Sequence, residues 1–121
     1  MTARREALLS AVVRLREVLK ESETDVSRDA AIQRFEFCFE LAWKSIQERA
    51  REEGLDCQSP KGCLRVAFKT DWIEDEKGWL AMLADRNQTS HTYDEDLAKA
   101  VYRRLPNHLL LLEALVTKLK Q

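Results

Sequence analysis

An all-α bundle is the fold this sequence predicts, and three observations predict it. Apolar residues recur every three or four positions along most of the 121 residues. Only three Gly and two Pro occur, too few for an all-β or disordered chain. Leu, Ala, Glu, Lys and Arg are abundant, and these lose little freedom on entering a helix. The length suits one domain, residues 1–121, around a single core.

The first helix is expected from Thr2 to about Glu21, with Leu8, Val12, Leu15 and Leu19 on one stripe. Ser22 to Asp25 forms a polar connection whose side chains compete with helix for backbone hydrogen bonds. The second and longest helix runs from about Ser27 to Glu53. Its stripe is Ile32, Phe35, Phe39, Trp43, Ile46 and Ala50, and Phe37, Leu41 and Ala42 widen it. A helix apolar over so much of its circumference is central to a bundle or part of a subunit interface. Gly54 is its natural stop.

Ser59-Pro60 starts a short third helix, with Ser as cap and Pro at the first helical position. A fourth begins near Glu74 and turns Trp79, Leu80 and Leu83 to the core. Thr92 and Glu95 fit a capping box for the last helix, whose stripe runs from Leu97 through Val101, Leu105, Leu112 and Leu119. Pro106 should bend that helix rather than end it, because the period resumes beyond it.

A formal net charge of −1 gives no global cationic field for long duplex nucleic acid, so any RNA contact is a local patch. Arg14 and Arg16 interrupt the apolar run a secretory signal needs, and no stretch is long enough to span a membrane. Cys38, Cys57 and Cys63 are odd in number and lack a Cys-x-x-Cys pair. The expectation is a reduced, cytoplasmic protein with no zinc site and no cofactor.

The segment Arg86-Asn87-Gln88-Thr89-Ser90-His91-Thr92-Tyr93 gathers a guanidinium, a carboxamide, an imidazole and a phenol between two apolar stretches. Arginine grips phosphate through a planar fork of donors, and histidine moves protons near neutral pH. The alternative is a polar turn between helices. On one unbroken helix, positions five apart diverge by roughly 140°. A turn between Gln88 and Thr92 would instead let His91 swing beside Arg86. Tyr93 would then lie in the first turn of the last helix, where free N–H groups favour an anion.

Other residues carry weaker signals. Arg28, Arg34, Lys44, Arg49 and Arg51 suit a solvated face paired with Glu36, Glu40 and Glu48, although Arg34 and Lys44 could point to a cleft. Trp43, Trp72 and Trp79 suit core positions better than base stacking. His108 is expected to be a partly exposed helical residue. Glu36 and Glu40 lack the Glu-x-x-His partner that a di-iron site requires.

Arg86…His91…Tyr93 resembles the Arg-x4-His-x-Tyr motif of HEPN-domain proteins, in the branch of nucleotidyltransferase substrate-binding, or HepT-like, proteins. The blocks Arg28-Asp29-Ala30-Ala31-Ile32-Gln33-Arg34-Phe35-Glu36-Phe37, Phe39-Glu40-Leu41-Ala42-Trp43-Lys44 and Asp85-Arg86-Asn87 follow the same branch in the same order. The likeness spans about residues 5 to 115. It implies an up-and-down four-helix bundle that dimerises, with the motifs near the dimer cleft. It also implies a separately encoded minimal nucleotidyltransferase as partner, usually from an adjacent prokaryotic gene.

In that branch the HEPN member is proposed to be a metal-independent ribonuclease toxin. Its partner is the antitoxin, in some cases adding AMP to the motif tyrosine. An earlier view makes the HEPN subunit a substrate-binding accessory of the transferase. The resemblance casts Arg86 and His91 as the catalytic pair, Tyr93 as the modifiable phenol and Asn87 as a phosphate contact. Arg34 and Lys44 are further candidates for binding nucleotide or RNA phosphate.

Overall fold

The computed structural model describes residues 1–121 as five α-helices and no strand. They are α1 (Ala3–Leu19), α2 (Asp25–Glu52), α3 (Pro60–Lys69), α4 (Glu76–Gln88) and α5 (Glu95–Leu119). One 3₁₀ turn, Thr89–His91, joins α4 to α5. α2 packs against each of the other four helices, as its broad apolar surface predicts. A single cluster fills the interior, with Leu8, Leu15, Phe35, Phe39, Trp79 and Leu105 among its most buried members.

Local chemistry sets the helix ends. The polar stretch before α2 is capping machinery rather than a free connection. Thr24 Oγ1 accepts from the Ser27 amide at 3.0 Å, and Ser27 Oγ accepts from the Thr24 amide at 2.8 Å. α2 therefore starts two residues earlier than the apolar pattern suggests. Its other end is a Schellman turn. Gly54 has φ of 75°, and the Leu55 and Gly54 amides donate back to the Ala50 and Arg51 carbonyls. Ser59 caps α3 with Pro60 in its first turn, and Asp75 caps α4. Pro106 lies on the exposed side of α5 and leaves the helix unbroken.

The last helix starts later than predicted. Asp94, not Thr92, caps α5, its carboxylate accepting from the Leu97 amide at 3.1 Å. Thr92 instead donates its hydroxyl to the Thr89 carbonyl at 2.9 Å and closes the 3₁₀ turn. Tyr93 thus lies before the cap, outside the first turn of α5.

Three further expectations need correction. Cys57 and Cys63 form a disulfide across the start of α3, so only Cys38 remains a thiol. Burial pushes that thiol up to about 12, which makes it unreactive. His108 is buried, not partly exposed, because it occupies the stripe of Leu105 and Leu112. The basic residues of α2 mostly find other partners. Arg28 is buried against Glu23 and Asp25, Arg49 pairs with Glu53, and Glu48 pairs with Arg5. Only Lys44 and Glu40 meet as expected, at 3.8 Å. Trp72 and Trp79 are core residues, whereas Trp43 is half-buried.

Candidate functional site

Arg86 lies in the last turn of α4 and faces α2. Its Nη2 forms an ion pair with Glu40 Oε1, and its Nη1 approaches Asn87 Oδ1 at 3.4 Å. Glu40 is the hub of this contact. Trp43 Nε1 donates to its other oxygen at 3.1 Å, and Lys44 Nζ lies 3.8 Å from that same oxygen. Arg86 and Lys44 therefore meet at Glu40, which the sequence suggested only as a surface partner of the basic residues of α2, and Asn87 joins them through Arg86. The Arg86 carbonyl accepts from the Thr89 hydroxyl at 2.7 Å, which carries the chain directly from α4 into the 3₁₀ turn.

That turn ends on His91, whose ring is exposed and makes no hydrogen bond. Tyr93 follows, 87% exposed, with its ring edge-on to the imidazole at 6.3 Å between centroids. No hydrogen bond joins His91 to Arg86. The phenol borders a groove of about 370 Å³ lined by Asp29, Gln33 and Glu36 of α2 and by Thr89 and Thr92. Two carboxylates make that groove a poor host for an anion. The start of α5 is equally unsuited: Asp94 already fills its cap, and Glu95 and Asp96 follow. The chain's own charges therefore disfavour a phosphate at that helix terminus.

Arg34 stands apart. It donates to the Arg14 carbonyl at 2.8 Å and borders an α1–α2 groove of about 260 Å³ with Ala11, Phe37 and Leu41. It shares no partner with Arg86.

Asp85, next to Arg86 but buried, anchors the other side of α4. It receives Arg104 through two hydrogen bonds, at 2.8 and 2.7 Å, and His108 Nε2 at 2.7 Å. A carboxylate only accepts, so the shared proton belongs on His108 Nε2. His108 also stacks on Phe35 with centroids 5.4 Å apart. Burial alone would raise the Asp85 carboxyl. The hydrogen bonds from Arg104 and His108 outweigh it and hold the group below the ordinary carboxylate range. Neither Asp85 nor Arg104 was assigned a role from sequence, and His108 was expected to be partly exposed rather than part of a buried cluster. The signal available was the position of His108, three residues after Leu105 and four before Leu112 on an apolar stripe.

No three His, Cys, Asp or Glu side chains converge as a metal-ligand set. No helix is long and apolar enough to cross a membrane.

A helical bundle built around a long central α2, with a polar junction between its last two helices, is the substrate-binding fold associated with nucleotidyltransferases. The chain belongs to the nucleotidyltransferase substrate binding protein-like family, whose model matches residues 3–121. A Thermus thermophilus protein with a known crystal structure is 42% identical at a TM-score of 0.89, covering 94% of this chain and 99% of that one. A Haemophilus influenzae structure described as the fold of a substrate binding domain of a nucleotidyltransferase is 31% identical at a TM-score of 0.76, covering 98% and 96%. A curated Haemophilus influenzae protein named "Probable ribonuclease HepT" is 34% identical over 96 residues. That match takes in 75% of this chain and 66% of the relative, so the chain spans just under two thirds of that protein's length.

Proposed function

We propose that the chain is the HEPN subunit of a two-component minimal nucleotidyltransferase system and acts as a metal-independent endoribonuclease toxin. The observation that carries this reading is the α4–α5 junction. It presents an exposed imidazole free of internal hydrogen bonds five residues after a guanidinium at the surface. Similarity to a protein named as a ribonuclease supports it.

In the proposed reaction the ribose 2′-oxygen attacks the adjacent phosphorus and the P–O5′ bond breaks. The products are a 2′,3′-cyclic phosphate and a 5′-hydroxyl. One group must take the 2′ proton and another must give a proton to the departing 5′-oxygen. His91 serves as the proton-transfer group and Arg86 stabilises charge on the phosphorane, with Asn87 and Lys44 as secondary phosphate contacts. One imidazole does not fill both proton roles in a single step, so a homodimer supplies the second. The nucleotidyltransferase partner is the antitoxin. The Tyr93 oxygen attacks the α-phosphorus of ATP, pyrophosphate leaves, and the tyrosyl-AMP carries bulk and negative charge beside the junction. RNA and ATP as substrates fit a pair that works in the cytoplasm of a prokaryote.

The test is a labelled single-stranded RNA incubated with the purified protein and EDTA. Cyclic-phosphate ends that vanish in Arg86→Ala and His91→Ala support the reading. Cleavage unchanged in His91→Ala rejects it. A second reading, a non-catalytic substrate-binding subunit of the transferase, is favoured by the engagement of Arg86 with Glu40 inside the protomer. Nucleotide binding that depends on Arg86, with no cleavage of any RNA, selects that reading.

A further inference from the structure

The geometry points to Glu40 as an internal anion that occupies the Arg86 fork and must be displaced before an RNA phosphodiester binds. This rests on the proposed role of Arg86 as the phosphate-holding residue. Three contacts converge on the carboxylate. Arg86 Nη2 pairs with Oε1, while Trp43 Nε1 donates to Oε2 at 3.1 Å and Lys44 lies 3.8 Å from Oε2.

The arrangement divides the two oxygens between different tasks. Oε2 is tethered on α2 itself by Trp43, one turn along the same helix. Oε1 alone reaches across to α4. When Arg86 turns to a phosphate, the carboxylate stays in place on its indole and ammonium partners, so the exchange needs no helix movement. A carboxylate and a phosphate oxygen present the same acceptor geometry to a guanidinium, which makes them direct competitors. The Arg86 side chain is 32% exposed while Glu40 Oε1 is sealed from solvent, so a ligand meets the guanidinium first and draws it off the carboxylate.

This competition has consequences for affinity. A partly exposed ion pair that must break before binding weakens the ligand by about three- to fivefold. It also selects against neutral ligands, since only an anion matches the carboxylate it replaces.

The probe is a 2′-O-methyl oligoribonucleotide, which cannot be cleaved, titrated by fluorescence anisotropy. Glu40→Gln should tighten its binding about three- to fivefold. Glu17→Gln removes the same charge from an exposed site on α1 and should change it by less than about twofold. The double variant Arg86→Ala/Glu40→Gln should bind no better than Arg86→Ala, because the gain acts through Arg86. Equal or weaker binding by Glu40→Gln, or an equal gain from Glu17→Gln, overturns the inference. If Glu40→Gln fails to fold, Glu40→Asp is scored in its place; its shorter arm breaks the contact while keeping the charge. Binding unchanged in Arg86→Ala alone strikes instead at the proposed role of Arg86.

Discussion

Asp85 and Arg86 are neighbours in sequence and opposites in environment. One is buried and bound to α5, the other is surface-accessible and bound to α2. Together they fix the end of α4 from two sides, which sets where the junction begins. Asp85→Asn keeps the shape but removes the charge that Arg104 and His108 were paired with. Breaking a buried pair costs about 3–5 kcal/mol, and the half-exposed Arg104 brings the expected loss here to about 2–3 kcal/mol, read from urea midpoints. The pH dependence follows from the depressed Asp85 pKa. Its stabilisation is fully present above the unfolded-chain value of about 3.9 and is lost as pH falls through the lower folded value. Urea midpoints measured between about pH 6 and pH 2 should fall for the wild type and fall less for Asp85→Asn. A parallel decline in both proteins would assign the acid sensitivity to other carboxylates.

Helix ends and connections show where sequence is informative and where it is not. Gly54, Ser59 and Pro60 were legible because each solves a local backbone problem that only its own residue type solves well. The start of α5 was not, because Thr92 and Asp94 are both good caps and only the 3₁₀ turn decides between them. The Cys57–Cys63 pairing was equally hidden: spacing cannot show that the chain folds back across six residues. For a loop of that length the chain-entropy model assigns the disulfide about 2 kcal/mol. Reduction with dithiothreitol should therefore lower the thermal midpoint and, after removal of the reductant and denaturation in guanidinium, raise the Ellman titre by two thiols, while helicity of the reduced protein by circular dichroism is largely retained. Gly78 offers a sharper element-level test. A Cβ there would sit 2.5 Å from the Asp75 cap and 2.8 Å from Leu111 Cδ1. Both neighbours are ends of flexible side chains, so Gly78→Ala should destabilise by no more than about 1 kcal/mol, the disturbed Asp75 cap set against the better helix propensity of alanine. A raised thermal midpoint would show that α4 and α5 part easily.

At the scale of the whole molecule, the bundle was legible because periodicity reports burial one helix at a time. The contacts that shape the site were not, because they join helices whose relative register no local pattern encodes. Asp85 meets residues 19 and 23 positions away, and Glu40 meets Arg86 from a different helix altogether. The motif named Arg86, His91 and Tyr93 but gave no hint of the carboxylate opposite the arginine. The molecule's overall charge supplies a final test. With 20 Lys and Arg against 21 Asp and Glu, the net charge supplies no global field to gather RNA, so the proposed binding rests on the local cations of the junction. In the proposed complex Arg86 and Lys44 would make two phosphate contacts, and single-stranded nucleic acid releases about 0.7 counterions per contact. The logarithm of affinity for a 2′-O-methyl oligoribonucleotide should then fall with the logarithm of salt with a slope of about −1.4. RNA that spans both protomers of a dimer doubles the contacts and the slope, to about −2.8. A slope well beyond that would require cations that the junction does not contain, and would move the RNA-binding surface elsewhere on the bundle, toward Arg14 and Arg34 on the α1–α2 face.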